Sequence, residues 1–294
     1  MSHHAGEVVA DTWVLLTPLH VGGMGEVWHA ACLEDRSEVA VKFLLRDGDG
    51  VALARLVREA TNLAAVESRH VARLLSVGRD HLVMEYVEGE SLAATLARRR
   101  TLPPAEVARL VGECADGLAA AHVAGVLHRD VKPSNILQSA RGAVLTDFGV
   151  SHALGQEPLT DPGRVMGTAE YLAPELIAGV PASPASDVYA LGICAVEALT
   201  GAVPFRGTTP LQTAFAHVDL PVPALPDAVP AFLRDLVTAM VAKDPAARPS
   251  ALRVGAAARE LLDANTAPDG PNTLGRDAGS AGPRSQHSSE EDQW

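Results

Sequence analysis

The stretch His128-Arg129-Asp130-Val131-Lys132-Pro133-Ser134-Asn135-Ile136-Leu137 decides how the rest of the chain is read. It places a carboxylate, an ammonium and a carboxamide within six residues, with a proline between them that restricts the backbone. Together they form a compact kit for phosphoryl transfer: a base at Asp130, a phosphate clamp at Lys132 and a metal-facing oxygen at Asn135. Neither a helical nor a strand period explains the spacing, so a functional loop is expected. Ile136 and Leu137 then return the chain to apolar core. The competing reading is a polar surface turn, and the remaining sequence has to decide between the two.

Composition bounds the answer. A chain of 294 residues can hold one large domain or two small lobes with substantial cores. Its 47% hydrophobic content is that of a globular protein. A formal charge of −12 argues against a general nucleic-acid binder and against a polybasic membrane-surface protein. Cys32, Cys114 and Cys194 lie in apolar surroundings without CxxC spacing, so buried inert thiols are expected. An odd number of cysteines fits a reducing compartment, and a cytoplasmic location is expected. The longest apolar run, Val188–Val196, stops at Glu197, well short of the ~20 residues that cross a bilayer. The opening Met-Ser-His-His has neither a basic nor an apolar leader segment, and no secretion signal is read there.

Upstream of the loop, strands dominate. Residues 1–10 are read as a short lead and Trp13–Leu19 as a strand. Gly22, Gly23 and Gly25 then tip a hairpin that resumes as a strand at Val27–Ala31; glycines there let backbone approach a ligand that side chains would block. An ordinary turn is the bland alternative. Val39-Ala40-Val41-Lys42-Phe43 reads as a buried strand carrying one lysine. Burying that ammonium is costly unless an anion meets it; a snorkelling edge lysine is the alternative. Val51–Val66 has helical periodicity, with Glu59 beside its apolar face as the natural partner of Lys42. Val71–Val77 and His81–Val87 read as further strands. Glu88-Gly89-Glu90 breaks the pattern, and the lobe boundary is placed at Glu85–Glu90.

Downstream, helices dominate. Ser91–Arg100 reads as a short helix, and Pro103 and Pro104 open a long one that runs to Ala124. After the loop come a strand at Ala143–Thr146 and then Asp147-Phe148-Gly149, where an acid at a strand end can face a metal. Residues 150–166 are polar and irregular and contain Thr160. Gly167-Thr168-Ala169-Glu170-Tyr171-Leu172-Ala173-Pro174-Glu175 follows. A cap at Ser183 with proline behind it opens a helix that closes at Gly201 and is apolar nearly all round, so it should be central and buried. Shorter helices are expected at about 210–217 and 230–242. A capped turn at Asp244–Ser250 leads to a last helix ending at Leu262. The Pro, Gly, Ser and Asp content from about Asn265 onward marks a tail expected to be disordered.

These residues resemble the eukaryotic-like (Hanks-type) Ser/Thr protein kinases, in particular the bacterial group. The resemblance covers roughly residues 11–262. It rests on Val-Ala-Val-Lys at 39–42, His-Arg-Asp-x-x-x-x-Asn at 128–135, Asp-Phe-Gly at 147–149 and Ala-Pro-Glu at 173–175, in the family's order. It implies a bilobal α+β fold: a β-rich N-lobe over 11–87, with one major helix, and a helical C-lobe over 88–262. The lead 1–10 and the tail 263–294 lie outside it. It further implies ATP, Mg²⁺ (with Mn²⁺ as a substitute) and proteins with Ser or Thr hydroxyls as substrates. A homodimer for trans-autophosphorylation is a further implication; a nucleic-acid partner or a membrane span is not. Site roles follow by position. Lys42 would hold the α- and β-phosphates and pair with Glu59. Asn135 and Asp147 would hold the metal. Asp130 would orient the substrate hydroxyl and accept its proton, and Lys132 would steady the γ-phosphate. His20, Val21, Gly22, Gly23, Met24 and Gly25 would form the flap over the phosphates. Backbone groups of Glu85 and Val87 would meet adenine behind the gatekeeper Met84, with Val27, Ala40 and Leu137 around the ring. His128 would pack on Phe148, Arg248 would pair with Glu175, and Asp187 would bond the catalytic-loop backbone. Lys132 with Gly167-Thr168 is the Ser/Thr pattern, with Thr168 expected near Asp130 and Lys132.

The chain departs from the family at His20, where the flap has its first glycine. The side chain either crowds the ribose or points to solvent, and tolerance is expected. Arg129 implies control by activation-loop phosphorylation, with Thr160 the preferred site and an unmodified exposed threonine the alternative. His152 stands where a Lys or Arg often helps to hold that phosphate. Two other classes compete with an active protein kinase. One is a pseudokinase or nucleotide-binding interaction module, for which His20 is the best support. The other is a small-molecule kinase, which Gly167–Glu175, Asp187 and Arg248 argue against.

Overall fold

The computed structural model describes residues 3–22, 25–44, 60–148 and 169–266. Gly23, Met24, Glu59, Gly149, His152, Thr160, Gly167, Thr168 and the tail beyond 266 therefore lie outside the described residues. The first half forms an antiparallel six-stranded sheet in the order β1-β2-β3-β4-β6-β5. Its strands are β1 (Val8–Val9), β2 (Trp13–Gly22), β3 (Gly25–Cys32), β4 (Glu38–Phe43), β5 (Leu74–Val77) and β6 (His81–Glu85). Residues 60–64, here α1, are helical.

Strand alternation gives the sheet two faces. Val39, Val41 and Phe43 of β4 join Leu15, Trp28, Ala30 and Val83 in one apolar cluster. Ala40 and Lys42 point the other way, opposite Met84 and Leu82 in register, and Leu82 belongs to the main core. A lysine on the core-facing side is thus a direct result of the Val-Ala-Val-Lys alternation. The sheet departs most from the sequence reading at β1 and β5. The lead contributes β1, which pairs with Trp13 and Val14, and the His3 ring stacks on Phe43 at 3.5 Å. Past Leu15, which still bonds Gly6 and Glu7, β2 has no strand partner on its outer side among the described residues. Pro18 therefore leaves no ladder bond unmade, and a register shift follows it. β5 starts at Leu74 rather than Val71, because residues 70–72 pair instead with Leu145 across the lobes.

The second half is helical: α2 (Leu92–Arg99), α3 (Pro104–Val123), α4 (Pro174–Ile177), α5 (Pro184–Thr200), α6 (Pro210–Asp219), α7 (Ala231–Met240) and α8 (Ala251–Thr266). α8 runs past the expected Leu262 to Thr266 because no breaker intervenes until Pro268, which disfavours helix at the residue before it. A small sheet, β7 (Glu90–Ser91), β8 (Ile136–Ser139) and β9 (Gly142–Leu145), lies beside these helices. α3 packs against β9 through Gly117; a Cβ there would lie 2.8 Å from the His70 carbonyl oxygen. α5 is capped by a reciprocal Ser183–Ser186 pair and ends at Gly201 in the left-handed conformation, φ 79°. Its apolar girth is buried on all sides, as expected. All three cysteines are buried and unpaired. Among the described residues no helix is long and apolar enough to cross a membrane.

Two buried polar anchors brace the lower lobe. Arg248 donates to both Glu175 carboxylate oxygens (2.7 and 2.8 Å) and to the carbonyls of Ala242, Ala185 and Lys243. These five acceptors match its five N–H groups. Its guanidinium also stacks over the Tyr189 ring. Burial opposes ionisation of Glu175, but the hydrogen bonds from Arg248, the backbone and Ser186, together with the Arg248 charge, outweigh it and hold the carboxyl below its usual range. The second anchor is His217. Burial first, then the nearby Lys243 ammonium, pushes its pKa down to about 4.

Removing one partner of the enclosed ion pair, as in Glu175→Gln or Arg248→Met, is expected to destabilise by about 3–5 kcal/mol. For a chain of this size the melting temperature should fall by roughly 10 °C, measurable by calorimetry. His217 predicts the acid response. The unfolded imidazole titrates near 6.5, so the unfolded chain takes up that proton first. This contribution is complete above about pH 6.5 and is lost as pH falls towards about 4, with a limiting slope of about 1.4 kcal/mol per pH unit. Denaturant titrations across that window should show the slope, reduced in His217→Phe.

Candidate active site

The loop between α3 and β8 is held by a carboxylate from another helix. Asp187, in the first turn of α5, accepts the backbone N–H of His128 at 2.9 Å and that of Arg129 at 2.8 Å. His122 Nε2 lies 2.8 Å from the same carboxylate. Arg129 adopts φ 62°, a conformation uncommon outside glycine, and the Asp187 bond holds its N–H in that geometry. His128 is fully enclosed, with its ring 4.4 Å from that of Phe148, and its Nδ1 accepts the Asp130 N–H at 3.3 Å. Burial lowers its pKa against the pull of Asp187 and Asp130, so the ring is neutral.

Asp130 is buried. One oxygen, Oδ2, accepts from Lys132 Nζ at 2.7 Å and from Asn135 Nδ2 at 3.0 Å. The other, Oδ1, is buried and accepts no hydrogen bond among the described residues. Pro133 starts a single 3-10 turn that closes at Asn135. There the Asn135 carboxamide nitrogen binds the Asp130 backbone and side chain, leaving Oδ1 to face the Ser134 hydroxyl at 3.2 Å.

The hairpin β8–β9 brings in the second acid. Ile136 pairs with Leu145, and the Thr146 N–H donates to the Asn135 carbonyl at 2.9 Å. Asp147 follows at φ 57°, and its Oδ1 lies 2.7 Å from Lys42 Nζ. Burial would raise the Asp147 pKa, but the Lys42 charge and hydrogen bond prevail and lower it. The sequence points to Glu59 as the partner of Lys42; within the described residues that partner is Asp147. Each lysine thus meets one carboxylate in a site whose two acids and two lysines balance in charge. The carboxylates and the carboxamide offer only oxygen donors, which suits a hard divalent cation completed by water or phosphate oxygens.

The remaining predicted positions form the floor and edge of the cleft. Val27 lies opposite Lys42 in the β3–β4 register, and Ala40 lies opposite Met84. Val87 and Leu137 share a small cluster with Ala72 and Val144. His20 and Val21 lie opposite Val27 and Glu26 near the hairpin tip, and both are exposed. The exposure of His20 favours the solvent-facing alternative over crowding. Gly22 and Gly25 face each other across the same hairpin. Sequence reasoning missed three ties. Arg141 binds the Glu85 carboxylate at 2.6 Å, Ser186 donates to Glu175 at 2.8 Å, and His122 approaches Asp187. No motif links these residues; only the packing joins them.

Asp187→Ala is expected to free the two loop amides and displace Asp130. A misplacement of this kind should cost about 10²-fold in the turnover that the site supports. Steady-state kinetics on folded variant protein checks this. Comparison with known proteins agrees with the architecture. The sequence pattern of the protein kinase domain matches residues 14–261. The chain is 38% identical over 260 residues to the serine/threonine-protein kinase PknA of Mycobacterium tuberculosis, covering 84% of this chain and 60% of PknA. It is 38% identical over 259 residues to the serine/threonine-protein kinase PkaB of Streptomyces coelicolor, covering 82% of this chain and 61% of PkaB. The chain therefore spans about three-fifths of the length of these relatives. The crystal structure of the Mycobacterium tuberculosis PknI kinase domain aligns with a TM-score of 0.70 at 27% identity, covering 88% of this chain and 99% of that domain. The two-lobed α+β architecture, the loop of Asp130 and Asn135 beside Asp147, and these likenesses establish that the chain belongs to the protein kinase family.

Proposed function

We propose that this chain is a protein serine/threonine kinase that transfers the γ-phosphoryl group of ATP to Ser and Thr hydroxyls of proteins. The observation that carries the reading is Asp130: buried, anchored through one oxygen to Lys132 and Asn135, with its other oxygen accepting no hydrogen bond among the described residues. That oxygen is the acceptor for a substrate hydroxyl proton. Lys132 stands beside it, where the transferring phosphoryl oxygens would meet a positive charge. Lys42, enclosed in the cleft, would turn from Asp147 to the α- and β-phosphates of ATP, with Glu59 as its second partner. Most of the rate enhancement then comes from positioning and electrostatics, because the phosphoryl group carries its charge on three oxygens. Asp147 and the Asn135 carboxamide oxygen would hold Mg²⁺ or Mn²⁺. Bound there, the ion supplies neutralisation of phosphate charge. The serine/threonine preference follows from Lys132 two residues after Asp130 and from the names of the relatives.

The same proposal takes residues 11–262 as the catalytic domain, with lobes meeting at 87–88, in the cytoplasm. Adenine meets the backbone of Glu85 and Val87, between Val27, Ala40 and Leu137. Gly22, Gly23, Met24 and Gly25, with His20 and Val21, cover the phosphates. Phosphorylation of Thr160 in trans within a homodimer would bring negative charge to Arg129, and Thr168 would sit by Lys132.

The test is phosphoryl transfer from γ-labelled ATP with Mg²⁺ to a mixture of serine- and threonine-containing peptides. Asp130→Asn is expected to lower the rate by about 10²–10⁴-fold, the range of a lost general base. Equal labelling by the variant, or none by the wild type, would overturn the reading.

A further inference from the structure

His217 has no part in the chemistry proposed above, yet its surroundings are those of a positioning group. It lies on α6 and is fully enclosed, edge-on to Phe205 at 4.7 Å and to Tyr189 at 5.8 Å between ring centroids. Its Nδ1 is 2.9 Å from the Tyr189 hydroxyl oxygen. Its Nε2 is buried and has no hydrogen-bond partner among the described residues. On that side the single turn Ala169–Tyr171 packs against α6. The backbone of Glu170 and Ala169 lies close enough to favour a proton on the ring.

A neutral imidazole has one donor and one acceptor nitrogen. If the Tyr189 hydroxyl donates to Nδ1, the proton resides on Nε2 and faces the turn. The opposite tautomer would turn a bare lone pair towards that backbone. The Lys243 ammonium, which donates to the His217 carbonyl at 2.5 Å, disfavours a second proton on the ring. The turn has two other ties: Tyr171 donates to Glu197 of α5 at 2.7 Å, and Glu170 pairs with Arg206 at 3.1 Å. Tyr189 and Glu197 both belong to α5, and so does Asp187, which holds the catalytic-loop amides.

We propose that His217 is a positioning residue for the protein substrate. Its Nε2–H is a buried donor directed at the backbone of Ala169–Tyr171, which it engages as a peptide seats on that segment. Apo hydrogen bonds of this kind commonly tighten only in the substrate complex. α5 is then the common base of both halves of the reaction, with Asp187 setting the catalytic loop and Tyr189, through His217, setting the peptide-bearing turn. The inference rests on the kinase reading, with Gly167–Glu175, the segment that argues against a small-molecule kinase, taken as the part that positions a peptide.

The test measures KM for ATP and for the peptide labelled fastest from the mixture, in the wild type, His217→Phe, His217→Gln and Tyr189→Phe. Loss of one hydrogen bond predicts a rise in peptide KM of about fivefold in His217→Phe, with ATP KM within about twofold. His217→Gln keeps a side-chain N–H and should recover most of the loss. Tyr189→Phe removes the hydroxyl that sets the tautomer and should raise peptide KM in the same direction. An unchanged peptide KM in His217→Phe, or peptide and ATP KM rising together, overturns the proposal. If His217→Phe does not fold, Tyr189→Phe decides: an unchanged peptide KM there overturns it equally. A wild type that transfers to no peptide overturns the kinase reading itself, a distinguishable failure.

Discussion

The Asp187 carboxylate is the constraint on which the site depends. It accepts two consecutive backbone amides, those of His128 and Arg129, from the first turn of a buried helix. A loop rich in polar groups cannot otherwise be held inside a protein, because each unpaired N–H carries a desolvation penalty. The helix is rigid because it is enclosed on all sides and capped at both ends. Rigidity is thus passed from an apolar helix to a polar loop through one side chain. The uncommon backbone angle at Arg129 lies directly at this junction.

The second requirement is that Asp130, Asn135 and Asp147 share one small volume. The hairpin β8–β9 achieves it by a pairing rule: Ile136 opposite Leu145 places the residues just outside the two strand ends side by side. The Thr146 amide bond to the Asn135 carbonyl closes that end. Lys42 arrives from the other lobe on the core-facing side of β4 and pairs with Asp147. The interlobe seam is further tied by pairing of residues 70–72 with Leu145 and by Arg141 on Glu85. The polar machinery is therefore embedded in backbone geometry that apolar residues define.

Much of this was legible beforehand, for identifiable reasons. The apolar run Val39–Phe43 marked a buried strand carrying one lysine, and the structure sets that lysine on the opposite face from Val39 and Val41. Cap and breaker residues bounded the helix Pro184–Thr200 within a residue. The pairing of Arg248 with Glu175 and the packing of His128 on Phe148 came only through family resemblance; nothing in local spacing joins positions 73 residues apart. The ties missed altogether, Arg141 to Glu85, Ser186 to Glu175 and His122 to Asp187 at the site and His217 to Tyr189 beyond it, join side chains that no single motif or period connects.

By itself the amino-acid sequence determined the order of strands and helices and which polar residues the central loop carries. These follow from local chemistry: hydrophobic period, prolines and glycines at element ends, and acids and lysines in short loops. Tertiary structure alone decided which carboxylate oxygen of Asp130 is occupied by Lys132 and Asn135, and that Lys42 meets Asp147. It also decided that one helix both holds the catalytic loop and, through Glu197 and Tyr171, ties the turn Ala169–Tyr171. These outcomes depend on distances between groups far apart in the chain, and such distances exist only once the apolar core has fixed how the helices and the two sheets pack.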